Sequence, residues 1–86
     1  MSYKKFLGTE IRKAITGQTV GPSLVELLKI FDPKIIRGRL RLHILSKYDS
    51  PTDQILLALC IVLFMEHYLN YTNTWSVSDI LLEEGS

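Results

Sequence analysis

Residues 55–65, ILLALCIVLFM, are apolar without interruption, so a helix built from them is apolar on every side. A stretch of 11 residues is too short to cross a bilayer, which takes about 20. The stretch therefore predicts a buried central helix and no transmembrane segment. In a chain of 86 residues the remaining sequence is too short to cover such a helix completely. We therefore expect a homodimer that buries this helix between two copies.

The residues before this stretch predict where the central helix begins. Ser50, Pro51 and Asp53 supply an N-cap, a first-turn proline and a carboxylate that opposes the helix dipole. The predicted helix runs from 51 to about 70. The residues expected to contact a second copy or a partner are three leucines and the aromatic cluster near the helix end: Leu56, Leu59, Leu63, Tyr68, Tyr71 and Trp75.

Two amphipathic helices are predicted earlier in the chain. Residues 3–16 place apolar side chains at helical intervals, and Gly17 follows as a stop signal. Ser23 and Glu26 have the spacing of a capping box, and they predict a second helix over about 23–31.

The segment 36–45, IRGRLRLHIL, alternates basic and apolar residues. Asp32 is a residue type that commonly caps a helix N-terminus, and Pro33 is one that commonly occupies the first helical position. The period of two nevertheless favours a strand over 35–46, with its cations on one face. Residues 75–77 are the predicted partner strand, and Ser78 is predicted to cap a short acidic helix after it. The alternative is an intermolecular ribbon, in which the strand pairs with its own copy in a second chain.

These elements predict a single domain over 1–86 of the α+β class. It is mainly helical, with about four helices and a short strand pair or intermolecular ribbon. The alternative is an all-α five-helix bundle.

The charges of the chain are separated along its length. Residues 1–48 hold all ten basic residues and three acidic ones, a net charge of +7, whereas residues 49–86 hold six acidic and no basic residues. Two interpretations are open: the halves neutralise each other, or the basic half forms an anion-binding surface. The residues predicted to contact phosphates on such a surface are Lys4, Lys5, Arg12, Lys13, Arg37, Arg39, Arg41 and His43.

The sequence contains no recognisable catalytic or metal-binding pattern. Cys60 and His67 are seven residues apart, which separates them by about 10 Å along a helix, too far for a nucleophile and its base. The two histidines lack a metal-ligand spacing, and no phosphate-binding loop is present. We therefore expect no enzymatic activity, no catalytic residue, no metal and no cofactor.

The function predicted from these features is that of a non-enzymatic, dimeric binding protein whose basic N-terminal half contacts nucleic acid or another polyanion. One alternative is a protein–protein adaptor, such as a viral or phage accessory protein that acts on a host factor. Another is a peripheral, matrix-like protein held on a membrane by its basic first helix. The start MSYKKFLG has no apolar signal region, and the single cysteine fits a reducing compartment. We expect an intracellular protein, cytoplasmic or nuclear.

Overall fold

The computed structural model describes residues 2–71 and 75–82. These residues form five helices and no strand: α1 (Tyr3–Thr16), α2 (Leu24–Ile30), α3 (Pro33–Lys47), α4 (Pro51–Leu69) and α5 (Val77–Leu81). The chain is mainly helical, as predicted. The predicted strand pair is not seen within the described residues, and the architecture agrees with the all-α alternative.

Local capping signals mark both ends of α1, the start of α2 and the end of α4, whereas Ser50, the predicted N-cap of α4, makes no side-chain capping hydrogen bond. The Ser2 side chain accepts a hydrogen bond from the Lys5 N–H, and Gly17 ends α1 in a left-handed conformation with a φ of 77°. Ser23 caps α2 by accepting from the Glu26 N–H. Asn70 ends α4 with a φ of 53°. These three helices confirm the predicted ones to within one residue at each end.

The prediction of a strand over 35–46 is wrong, because this segment forms α3. The Asp32 side chain accepts a hydrogen bond of 2.8 Å from the Lys34 N–H, and Pro33 is the first helical residue. Ile36, Leu40 and Ile44 are fully buried. A spacing of four residues fits one face of a strand as well as one face of a helix, so the alternation concealed a helical stripe.

The predicted partner strand over 75–77 is also wrong. Ser76 caps α5, and Val77 is its first residue. The Ser76 hydroxyl accepts from the Asp79 N–H at 3.1 Å, and the Asp79 carboxylate accepts from the Ser76 N–H at 2.8 Å. This reciprocal capping box places the N-cap of α5 at Ser76, two residues before the predicted cap at Ser78. Residues 83 and 84 of the predicted acidic helix lie outside the described residues.

The hydrophobic core lies where α1, α3, α4 and α5 meet. α4 contributes five buried residues to the core, and α5 contributes Ile80, which is fully buried. The fully buried positions of the other helices include Ile11, Ile36, Leu40 and Ile44. Because only one side of α4 enters this core, its opposite side is left at the surface.

Candidate interaction surfaces

Four apolar side chains lie exposed on the side of α4 that points away from the core. Ile55, Leu56, Leu59 and Leu63 are 42–54% exposed, and we call this set the α4 face. Their spacing of three to four residues places them on one side of the helix. Together they expose on the order of 350 Å² of apolar surface, a patch size that in monomeric proteins often marks a binding site.

Polar residues bound the α4 face at both ends. Thr52 lies at its N-terminal end, and Glu66 and His67 lie at its C-terminal end, all three exposed. Cys60 and Val62 are half-buried along its edges. An apolar centre with a polar boundary is the usual composition of a protein interface.

The structure brings together only part of the predicted interface. Leu56, Leu59 and Leu63 lie on the α4 face. Tyr68 is exposed but stacks on Phe64 at the end of α4, with ring centroids 5.1 Å apart. The sequence interpretation did not include Ile55, although it lies four residues before Leu59 and therefore on the same side of the helix.

The other two aromatic residues of the predicted interface pack against the core. Tyr71 and Trp75 are half-buried, and their ring centroids lie 5.5 Å apart in an edge-to-face arrangement. They close one end of the core and lie outside the α4 face.

Length and composition would allow α4 to cross a membrane. The core helix of a water-soluble protein can meet the same criteria, and α4 packs against α1, α3 and α5. The expectation of no transmembrane segment stays a prediction.

The three arginines of α3 do not all lie on one side of the helix. Because successive helical residues are rotated by about 100°, Arg37 and Arg41 share one side and Arg39 lies on another. Arg41 donates a hydrogen bond of 3.4 Å to the Leu82 carbonyl beside α5. Arg39 donates to the Ile15 carbonyl near the end of α1. A single row of cations, which required a strand, is therefore not formed.

Arg39 and Arg37 also make electrostatic contacts within the chain. The Arg39 guanidinium lies 4.9 Å from the Phe31 ring centroid. The pKa of Asp79 is lowered below its ordinary value by hydrogen bonds from Ser76 first, and by the positive charge of Arg37 as a smaller contribution. The charges of α3 are thus used in part to hold α5 and the end of α1.

The other predicted cations lie in two separate places. Lys4, Lys5 and Arg12 line a groove between α1, α2 and the end of α4. Lys13 and His43 line a second depression between α1 and α3, together with Arg39.

A buried charge lies between α1 and α3. Glu10 is only 2% exposed, and its carboxylate forms an ion pair with the Lys47 ammonium. The other carboxylate oxygen lies 3.5 Å from Nε2 of His43. Burial, followed by the charge of Lys13, lowers the pKa of His43 although this carboxylate lies nearby. Sequence reasoning missed Glu10, although its position three residues after Leu7 places it on the buried stripe of α1.

No family model, curated protein or solved structure matches this chain. Its function is therefore inferred from the surfaces described above.

The geometry offers little support for catalysis or metal binding among the described residues. No group of three His, Cys, Asp or Glu side chains in residues 2–71 and 75–82 is placed to hold a metal ion. Cys60 is half-buried and interacts with Tyr3, whose pKa is raised mainly by a side-chain hydrogen bond with that cysteine. The predicted absence of an enzymatic activity stays a prediction.

Proposed function

We propose that this chain is a non-enzymatic protein-binding module that associates with a second copy of itself through the α4 face. The observation that carries the proposal is the row of Ile55, Leu56, Leu59 and Leu63, half-exposed on α4, the helix that contains the uninterrupted apolar stretch 55–65. Covering these side chains removes apolar surface from water, which is the main favourable contribution to most protein association.

The charges at the ends of the α4 face favour an antiparallel pair. In a parallel pair the Glu66 carboxylates of the two copies would lie close together and repel each other. In an antiparallel pair each Glu66 lies near Thr52 at the start of the other copy's α4. The unpaired backbone N–H groups of a helix N-terminus carry partial positive charge, which Asp53 in the first turn offsets only in part, so this arrangement is more favourable than the parallel one. With Leu59 at the centre, Ile55 of one copy then lies opposite Leu63 of the second copy.

The size of the α4 face predicts a weak dimer. Two copies together would bury on the order of 700 Å² from these side chains, less than half of a standard interface of about 1,600 Å². We therefore expect a dissociation constant in the micromolar range.

Sedimentation velocity tests this proposal. Over roughly 2–200 µM, a range that brackets a micromolar dissociation constant, the chain is expected to shift from a monomer of 9.9 kDa to a dimer. Leu59→Lys places a charge at the centre of the α4 face and is expected to keep the chain monomeric. Leu42→Lys is the matched control, because Leu42 is an equally apolar residue on α3 that is 66% exposed.

A wild-type chain that stays monomeric at the highest concentration would overturn the proposal. Equal loss of dimer in Leu42→Lys and Leu59→Lys would also count against it. Circular dichroism of both variants establishes that the helices are still formed.

Binding of nucleic acid by the basic N-terminal half, which the sequence favoured, stays a prediction. The α3 arginines contact other groups of the chain, so such binding would depend mainly on the exposed α1 cations Lys4, Lys5 and Lys13. An adaptor role on a host factor, membrane association and an intracellular location likewise stay predictions.

A further inference from the structure

A groove of about 470 Å³ lies between the start of α1, the start of α2 and the end of α4. Leu24 and Phe64 form its floor and are at most 9% exposed, and Leu69 closes one end. Lys4 and Lys5 lie exposed at its rim. Binding sites for small molecules commonly have this volume and this combination of an apolar lining with a few polar groups.

The groove carries positive charge without a negative partner. Its lining, within the described part of the chain, contains Lys4, Lys5 and Arg12 and no acidic residue. Two of these cations lie in the first turn of α1, where the helix dipole is positive and no acidic side chain is present. Cations at this end of a helix are unfavourable, so a bound anion would relieve a local repulsion.

Lys5 also occupies a position where another residue would stabilise the fold. Ser2 is the N-cap of α1, which makes Lys5 the third helical residue. Glutamate at this position would complete a capping box. Local conflicts of this kind are expected where a residue serves binding.

The basic side chains lie along one side of α1, and contacts with other residues hold those of Lys4 and Arg12 in place. Lys5 and Arg12 are seven residues apart, or about 10 Å along the helix. The Arg12 guanidinium donates a hydrogen bond to the Pro22 carbonyl, and the Lys4 ammonium lies 5.0 Å from the Tyr68 ring centroid. Gly8 lies between Lys5 and Arg12 and has no side chain. A Cβ added to Gly8 would lie 3.7 Å from the Leu24 side chain.

We propose that this groove binds a single-chain amphiphile with an anionic head, such as a fatty carboxylate. The head would lie among Lys4, Lys5 and Arg12, and the chain would lie on Leu24 and Phe64. Leu24 and Phe64 are at most 9% exposed and lie beside the exposed Lys4 and Lys5, so a single narrow chain reaches them more readily than a bilayer surface, which contacts protruding side chains first. The proposal is independent of the dimer, since the groove and the α4 face share no residue.

A titration with sodium dodecanoate below its micelle concentration, followed by ¹H–¹⁵N NMR, tests the proposal. We expect saturable shifts in the amides around Lys5, Gly8 and Leu24. Lys5→Glu is expected to weaken binding at least about tenfold, because it replaces a charge-assisted contact by repulsion. The same substitution completes the capping box of α1, so unfolding would not explain the loss.

Lys29→Glu is the matched control, because Lys29 is exposed on α2 outside the groove lining. It should bind dodecanoate as the wild type does, and so should the Leu59→Lys variant. Gly8→Leu, which fills the groove, should weaken dodecanoate binding without reversing any charge.

Three results would overturn the proposal. The first is equal binding of dodecyltrimethylammonium, which carries the same chain with a cationic head. The second is binding at another place, shown by shifts centred on the α4 face or by an equal loss of dodecanoate binding in Lys5→Glu and Lys29→Glu. The third is cosedimentation with phosphatidylglycerol vesicles in the absence of dodecanoate-induced shifts, which would identify a membrane surface as the occupant.

Discussion

The buried carboxylate of Glu10 couples α1 to α3 through its ion pair with Lys47. Removing one member of a buried pair leaves the other charge uncompensated, which is strongly destabilising. Lys47 is itself about one-third exposed, so we expect Lys47→Met to lower the free energy of unfolding by about 2 kcal/mol, somewhat less than for a fully buried pair. Urea denaturation measures this change.

The double variant Glu10→Leu/Lys47→Met separates the ion pair from packing. Replacing both charges by apolar side chains is expected to recover most of the lost stability. Lys34→Met, on the exposed side of α3, is the control and should change the free energy of unfolding by less than about 0.5 kcal/mol. If Lys47→Met has no larger effect than this control, Glu10 does not depend on Lys47 for compensation.

His43 is expected to make the fold sensitive to mild acid. Burial and, as a smaller contribution, the charge of Lys13 lower the pKa of His43 below the ordinary value of 6.5. Two further charges lie nearby: the Glu10 carboxylate, which attracts the proton, and the Lys47 ammonium, one turn along α3. The unfolded chain therefore binds this proton at a higher pH than the folded chain does. The free energy of unfolding should be unaffected by His43 above pH 6.5 and should fall as the pH drops below it.

Urea denaturation at pH values about one unit above and one unit below the ordinary histidine pKa checks this prediction. His43→Gln should reduce the difference between the two conditions, whereas His67→Gln, at an exposed position, is the matched control. An undiminished pH dependence in His43→Gln would contradict the assignment.

Among the helices, α3 shows most clearly how two periodicities can coincide. Its capping residues, Asp32 and Pro33, act locally and were visible in the sequence. The alternation of arginines with apolar residues outweighed them in the prediction. The arginines of α3 do not form the single face that a strand would give. Arg39 bonds to the Ile15 carbonyl on one side of the helix, and Arg41 bonds to the Leu82 carbonyl on the other.

The glycine within α3 provides a test of its helical state. Gly38 has helical neighbours, and an added Cβ would meet only an Arg41 side-chain nitrogen at 3.9 Å. Gly38→Ala is therefore expected to raise the free energy of unfolding by about 0.5–1 kcal/mol, since alanine is the better helix former. Thermal or urea denaturation measures the gain.

Gly17→Ala is the matched control with the opposite sign. Gly17 ends α1 with a φ of 77°, a conformation that alanine adopts only with strain, so this variant should be destabilised. A destabilising Gly38→Ala would indicate that the segment is not a helix in solution.

For the whole molecule, the charge separation has a structural use at the contact between α3 and α5. Arg37 acts electrostatically on Asp79, and Arg41 bonds to the Leu82 carbonyl. This contact supports the interpretation that the two halves partly neutralise each other. Part of the remaining positive charge lies on α1, where Lys4, Lys5 and Arg12 line the groove.

The size of the chain explains the exposed α4 face. The other four described helices, of which α1, α3 and α5 pack against one side of α4, are too few to cover the opposite side. Self-association through Leu59 and its neighbours, proposed above, would complete the burial that one copy cannot provide.

The amino-acid sequence was sufficient to locate α1, α2 and α4, because signals such as Gly17, Ser23 and Pro51 act on backbone groups within a few residues. It also identified the leucines of α4 as interface candidates. Packing decided three other features: the period that residues 36–45 follow, the side of α4 that stays exposed and the burial of Glu10. These features arise from contacts between distant segments, such as the hydrogen bond between Arg39 and Ile15, 24 residues apart. Local patterns carry no information about such contacts.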